Sequence, residues 1–143
     1  MQPDVQKNHP PRPYDSSKFP KLTAETLNEE GCINLISAII GQASKDYRYA
    51  VKCITNKPEL SAYLMKQKVE DFFRSAYFSN LSLGIDGEAI LQTLEKECGI
   101  HDLDDIRKKR YDCKYWINKL KQENYYTVYD SRRRKYTDKK KGE

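Results

Sequence analysis

The side chains able to do chemistry are few and scattered. There are two histidines, His9 and His101, and four cysteines, Cys32, Cys53, Cys98 and Cys113. His9 sits in a proline-rich leader and His101 at a helix boundary, and neither has a nucleophile beside it in sequence to activate. Cys98 and His101 form a Cys-x-x-His with Cys113 further on, but a structural zinc site needs four ligands at closer spacing, so no metal site is expected. The cysteines lie 21, 45 and 15 positions apart, with no tight pair. If Cys32 and Cys53 share one helix, its rise of about 1.5 Å per residue sets them roughly 30 Å apart, beyond disulfide reach, so reduced thiols are expected. No glycine-rich phosphate loop, nucleophile elbow or HExxH occurs. Gly84-Ile85-Asp86-Gly87 has the spacing of a GxxG backbone clamp, yet the Asp86 carboxylate would repel a phosphate, and a turn into a capped helix is the better reading. Glu70 with Asp71, and Asp104 with Asp105, are adjacent acids that point to different sides of a helix and do not converge on one substrate. No catalytic residue and no cofactor follows from this inventory, and the expectation is a binding protein.

Two constellations carry direction. Asp46 lies at the edge of an apolar stripe, where a carboxylate must be partnered or stay wet. With Arg48 beside it and Arg74 or Tyr77 offered by the next helix, it predicts a polar clamp, structural or lining a ligand pocket. The second constellation is the C-terminal end, where Arg132, Arg133, Arg134, Lys135, Lys139, Lys140 and Lys141 follow Tyr125, Tyr126 and Tyr129. Cations neutralise phosphates and tyrosine rings stack on bases. Arg107, Lys108 and Lys109 face outward upstream and extend the basic set. The alternative for this end is a solubilising tail. The formal charge of +5 is unevenly spread: −1 over residues 1–30, −3 over 31–105 and +9 over 106–143.

The elements that must position these groups are mostly helical. At 143 residues the chain has room for one core, and no apolar run reaches the roughly 20 residues of a membrane span. Residues 1–28, with Pro3, Pro10, Pro11, Pro13 and Pro20, read as an extended leader, its Pro10–Pro13 PxxP being the spacing an SH3-like groove takes. Ile33, Ile36, Ile40, Ala43, Tyr47, Ala50 and Ile54 draw a helical stripe. It marks a central helix over 30–56, with Ser37, Ser44, Arg48 and Lys52 opposite and Gly41 small enough to admit a neighbour. Pro58 after Asn56 opens a helix over 58–76 along Ala62, Met65, Val69, Phe72 and Ala76, with Phe73 widening the stripe. Phe78, Leu81, Leu83 and Ile85 are expected to fold onto the core. Asp86 and Gly99 bound a helix over 87–98, and Asp102 with Asp105 starts one over 103–122 along Leu103, Ile106, Arg110, Cys113, Ile117 and Leu120. The expected fold is therefore an all-α bundle of about four helices, a helical domain over 29–123. Beyond it lies a tyrosine-rich, basic arm over 124–143, with any strand or hairpin confined to 124–130 and a mobile tail after it. Removal of 131–143 should then leave the fold nearly as stable.

Ala38, Ile39, Gln42, Ala43, Asp46, Tyr47, Arg48, Phe72, Phe73, Ser75, Asp86, Gly87 and Glu88 carry a pattern that resembles a family of small helical proteins of Firmicutes phages and mobile elements, over residues 33–97. The resemblance implies a compact helical unit and a mobile-element origin, not an activity. The leading expectation is a non-enzymatic protein of the bacterial cytoplasm whose basic arm contacts nucleic acid or a nucleoprotein. The alternative is a counter-defence inhibitor of the anti-CRISPR type, whose acidic body blocks the nucleic-acid-binding surface of a host protein such as a CRISPR effector. The stripes in 33–54 and 103–120 leave a homodimer open, and no membrane partner is expected.

Overall fold

The computed structural model describes residues 29–142, so the proline-rich leader and its PxxP lie outside the described residues. The chain divides into two units, residues 1–35 and 36–143. Of the first, only the opening turns of helix α1 (Glu29–Asn56) are described.

The second unit is mostly helical and closes with a hairpin. After α1 come α2 (Leu60–Arg74), α3 (Ala76–Leu81), α4 (Gly87–Glu97), α5 (Asp105–Lys108), a 3-10 turn (Lys109–Tyr111) and α6 (Cys113–Gln122). Strands β1 (Tyr125–Asp130) and β2 (Lys135–Lys140) pair antiparallel. The broadly all-α expectation holds, but six α-helices among the described residues replace the four expected. Two of the expected helices are broken by local side-chain capping. Ser75 adopts an extended backbone and its hydroxyl accepts from Phe78 N, ending α2 and starting α3. Asp112 does the same before α6, accepting from Tyr115 N at 3.2 Å. Asp104, not Asp102, caps α5, and Ile106 is 87 % exposed rather than inward.

Helix α2 packs against α3, α4, α6 and both strands, and α1 gives Tyr47 and Val51 to one core cluster and Ile54 to the other. Toward the C-terminal end of α2 Tyr47, Val51, Val69, Phe73, Phe78, Leu91, Leu94 and Ile100 form a cluster. Toward its N-terminal end Ile54, Leu60, Ala62, Tyr63, Cys113, Ile117 and Leu120 form a second. The α1 stripe is buried in its C-terminal half, where Tyr47, Ala50 and Ile54 are buried as expected with Val51 and Ser44 beside them, while toward its start Ile33 is exposed and Ile36, Ile40 and Ala43 are half-buried. A side chain at Gly41 would meet open space, so the close helix approach expected there occurs instead at Gly87, where a Cβ would stand 1.8 Å from the Phe73 carbonyl oxygen. Phe73 and Phe78 are buried and Phe72 is half-buried against them, whereas Leu83 and Ile85 are exposed and do not fold back onto the core. Asp86 caps α4, accepting from Glu88 N at 3.0 Å, and Gly99 at φ +75° ends it. The GxxG letters thus form a turn and a cap.

The start of α2 depends on the far end of the chain. Glu59, at the cap position, makes no side-chain cap bond. Asp138 of β2 supplies it, accepting from Leu60 N at 2.6 Å and Ser61 N at 2.8 Å. A carboxylate at a helix N-terminus satisfies orphan donors and opposes the dipole. The residues expected to be a mobile tail are therefore the second strand of a hairpin and the cap of α2.

Candidate nucleic-acid interface

In the hairpin, Tyr126 opposes Lys139, Thr127 opposes Asp138, Tyr129 opposes Tyr136 and Asp130 opposes Lys135. Residues 125–129 are all aromatic or β-branched, which favours a pleated strand. The turn is set by Asp130, whose Oδ1 accepts from Arg132 N at 2.9 Å and Arg133 N at 3.2 Å and whose Oδ2 lies 3.7 Å from Arg133 Nε. Arg134 takes φ +55° to close it. Three consecutive arginines, all exposed, are thereby fixed at the tip. Just below, Tyr129 and Tyr136 meet edge to face at 5.3 Å and remain more than half exposed.

The charge balance of the hairpin follows from these contacts. Its two described carboxylates are both engaged internally, Asp130 in the turn and Asp138 in the α2 cap. Lys139, Lys140 and Lys141 stay exposed, with Lys140 Nζ 5.6 Å over the Tyr125 ring. Tyr125 itself is half-buried against the second core cluster, and Lys135 Nζ approaches the Tyr49 hydroxyl at 3.5 Å.

A second basic and aromatic set stands on the 3-10 turn and α6. Lys109 Nζ lies 4.6 Å over Tyr115, and Lys119 Nζ lies 4.9 Å over Trp116 and 6.0 Å over Tyr115. Trp116 stacks on Tyr63 at 5.9 Å and donates Nε1–H to the Lys109 carbonyl at 2.9 Å. Arg107 is turned back on Asp104, to which it donates from N at 2.8 Å and from Nε at 3.1 Å. The hydrogen bond from the Arg107 backbone holds the Asp104 carboxyl below its usual range. Lys108 stays exposed. Sequence reasoning missed Tyr115, Trp116, Lys119 and Tyr136. The first three carried a legible signal, a lysine three and four positions after adjacent rings on one helix.

The expected polar clamp does not assemble. Asp46 accepts from Gln42 Nε2 at 3.0 Å, Arg48 pairs with Glu97 at 2.8 Å, and Arg74 pairs with Glu88 at 2.9 Å. The Arg74 hydrogen bond holds the Glu88 carboxyl below its usual range. Both ion pairs are about half exposed, and such pairs contribute little. Each long side chain meets an acid on α4 before it can reach Asp46.

The buried polar group is a different one. Lys66, 5 % exposed, pairs with Glu70 at 3.0 Å and lies 5.4 Å from the Tyr47 ring centroid. Cys113 Sγ is 3.7 Å from Glu70 Oε1, and the buried Tyr47 hydroxyl has no hydrogen-bond partner among the described residues. Burial pushes the Tyr47 and Tyr63 hydroxyls up and the Cys113 thiol up to about 12. A thiol so held is no nucleophile at neutral pH. All four cysteines are free thiols, and no group of three His, Cys, Asp or Glu among the described residues could hold a metal. In the native protein Cys113 should resist alkylation by iodoacetamide and react only on unfolding, read by mass spectrometry. Because the unfolded thiol ionises at lower pH than the folded one, its contribution to stability is complete below the ordinary thiol range and is lost as pH rises towards about 12. Alkylation of Cys113 as fast as of half-exposed Cys53 would contradict its burial.

No helix of the described residues is long and apolar enough to cross a membrane. Compared with protein-family models, curated proteins and solved structures, the chain finds no match.

Proposed function

We propose that this chain is a non-enzymatic binding protein of mobile-element origin that grips nucleic acid, free or within a nucleoprotein, through its basic hairpin. One observation carries the reading: both described carboxylates of the hairpin are spent on its own turn and on the α2 cap, which leaves a field of exposed Arg and Lys beside exposed tyrosine rings. A two-stranded ribbon is one of the shapes that enters the major groove of a duplex, and ring–cation surfaces suit unpaired strands. The origin rests on the residue pattern in 33–97 alone.

The test is binding to labelled DNA and RNA over a salt series. Replacing Arg132, Arg133 and Arg134 together with glutamine should weaken binding and flatten the log–log salt slope by up to about 2.7 on duplex DNA, at roughly 0.9 per phosphate contact. An unchanged affinity and slope would remove the hairpin tip from the interface.

A second reading is favoured by a separate surface. Leu83 and Ile85 are exposed at 86 and 43 %, just before the exposed acid Asp86 in sequence. Exposed apolar groups rimmed by acid suit a protein partner that itself binds nucleic acid, as a counter-defence inhibitor of a CRISPR effector would require. A pull-down from bacterial lysate, with and without nuclease, separates the two: recovery of nucleic acid supports the first, and recovery of one nuclease subunit after nuclease treatment supports the second.

A further inference from the structure

The register of the hairpin sorts its side chains onto two faces. Asp138 bonds to Leu60 N and Ser61 N at the start of α2, Thr127 stands opposite it, and Tyr125 is half-buried against the second core cluster. Successive side chains of a strand alternate, so the pairs Tyr126 with Lys139 and Val128 with Thr137 share the face turned away from the helices. Tyr126, Val128 and Lys139 are exposed and Thr137 is half-buried. The other two residues that alternation adds to this face are occupied, Asp130 by the Arg132 and Arg133 amides and Lys135 by the Tyr49 hydroxyl at 3.5 Å. The outward face therefore offers a tyrosine, the Val128 methyls, a hydroxyl and an ammonium, with no free carboxylate.

Two further observations select the occupant. Of the hairpin's tyrosines, Tyr125 lies under Lys140 at 5.6 Å, and Tyr129 and Tyr136 engage each other at 5.3 Å. That leaves Tyr126 as a single ring for stacking, whereas an unpaired strand is held by successive ones. The face is also bracketed by charge along the ribbon. Exposed Arg132, Arg133 and Arg134 stand at the tip, and Lys141 with Lys121 of α6 at the root, where both line one groove. Same-face positions recur about every 6.6 Å along a strand, close to two base steps of roughly 3.4 Å each. A two-stranded ribbon fits the major groove of B-form DNA, about 12 Å wide, while the deep, narrow major groove of an RNA duplex excludes side chains.

We infer that the outward face of the hairpin reads base edges in the major groove of duplex DNA. Lys139, a donor only, suits guanine O6 and N7, and Val128 suits the thymine methyl. Thr137 Oγ1 donates to the Val128 carbonyl at 3.4 Å and is left as an acceptor for the exocyclic amine of adenine or cytosine. The tip arginines and the root lysines take phosphates at either end. The inference rests on the nucleic-acid reading of the hairpin and deepens it: the cations supply affinity for any phosphate backbone, and the outward face supplies the choice of duplex DNA and of sequence.

A pool of DNA duplexes with a randomised centre is enriched on the full chain. The enriched duplex is then compared, by fluorescence anisotropy, with a scrambled duplex, with double-stranded RNA of the same sequence and with oligothymidylate. The wild type should favour the enriched duplex over all three. Replacing its guanines by 7-deazaguanine and its thymines by uracil alters only the major-groove edges and should weaken binding about tenfold, the scale of one base contact. Lys139→Gln and Val128→Ala should narrow the gap between enriched and scrambled duplexes, whereas replacing the three tip arginines should weaken both alike. If the tip variant weakens every duplex while no sequence is enriched and the modified bases change nothing, the groove assignment falls and the hairpin reading stands. If no nucleic acid binds, both fall together. Tighter binding of oligothymidylate or of the RNA duplex than of every DNA duplex also overturns the assignment. Circular dichroism confirms that the variants fold, and the modified bases test the wild type without any variant. A dimer in sedimentation that Val128→Ala dissolves without changing DNA binding would give the face to a second copy and overturn the inference equally.

Discussion

Replacing Phe73 with alanine is expected to lower the free energy of unfolding by about 3–5 kcal/mol, the usual range for removing a buried aromatic ring, measured by urea denaturation. Phe73 is 2 % exposed. Its ring lies 5.5 Å from Phe72 and 5.1 Å from Phe78, both tilted or edge to face, so the deletion removes ring–ring contacts as well as buried area. Its backbone matters too, because α4 enters against it: a Cβ on Gly87 would sit 1.8 Å from the Phe73 carbonyl oxygen and 2.7 Å from its carbon. Gly87→Ala should therefore cost about 1–3 kcal/mol through forced separation of α2 and α4, although alanine is the better helix former. Phe72, half-buried, should cost less than Phe73. A loss below about 1 kcal/mol for Phe73→Ala, within the range of ordinary surface changes, would mean that this cluster is not the centre of the core.

The contrast between α4 and the segment before it shows what was legible in the sequence. The bounds of α4 were plain because Asp86 and Gly99 punctuate a short run with an inward Leu91 and Leu94. The bounds of α1 were plain because its apolar repeat is long. The breaks at Ser75 and Asp112 were not, because the helical spacing runs on through them: Phe72 to Ala76 and Arg110 to Cys113 keep intervals of four and three. Only the competition of a serine or aspartate side chain for nearby backbone donors decides that the helix stops there. The second strand was hidden for a different reason. Lys-Tyr-Thr-Asp-Lys-Lys has no apolar face, so its pairing is set by β1 and the Asp130 turn rather than by its own pattern. The polar clamp failed because the partners of Arg48 and Arg74 lie on α4, 49 and 14 residues away, a distance no local spacing encodes. Of the candidate interface, the residue types were legible and their presentation was not. A composition of Arg, Lys and Tyr says that phosphate and base are suitable ligands; only the fold says that Asp130 and Asp138 are occupied elsewhere.

That occupation makes the C-terminal end a structural part of the protein as well as its proposed interface, and removal of residues 131–143 is expected to destabilise the fold by about 2–3 kcal/mol, combining a lost helix cap with lost burial at the hairpin root. The cap is the larger specific contribution. Asp138 alone supplies the side-chain bonds to Leu60 N and Ser61 N, and α2 is the helix against which α3, α4, α6 and both strands pack. Asp138→Ala should cost about 1–2 kcal/mol, at the upper end for an N-cap because the acceptor is charged and partly buried. Asp138→Asn keeps an acceptor and should cost less. Loss of β2 also leaves β1 without its only partner among the described residues, and a single strand cannot hold Tyr125 on the core against its conformational entropy. Thermal melts of the full chain, the two Asp138 variants and the truncated chain would rank them in the order wild type, Asn, Ala, truncation. A truncated chain that melts with the wild type would return the segment to a tail that the helical body does not need. If the expected order appears, weakened ligand binding by the truncated chain cannot be assigned to lost charge. The arginine substitutions at the tip, which leave Asp130, Asp138 and the strand register in place, are then the change that isolates the electrostatic contribution.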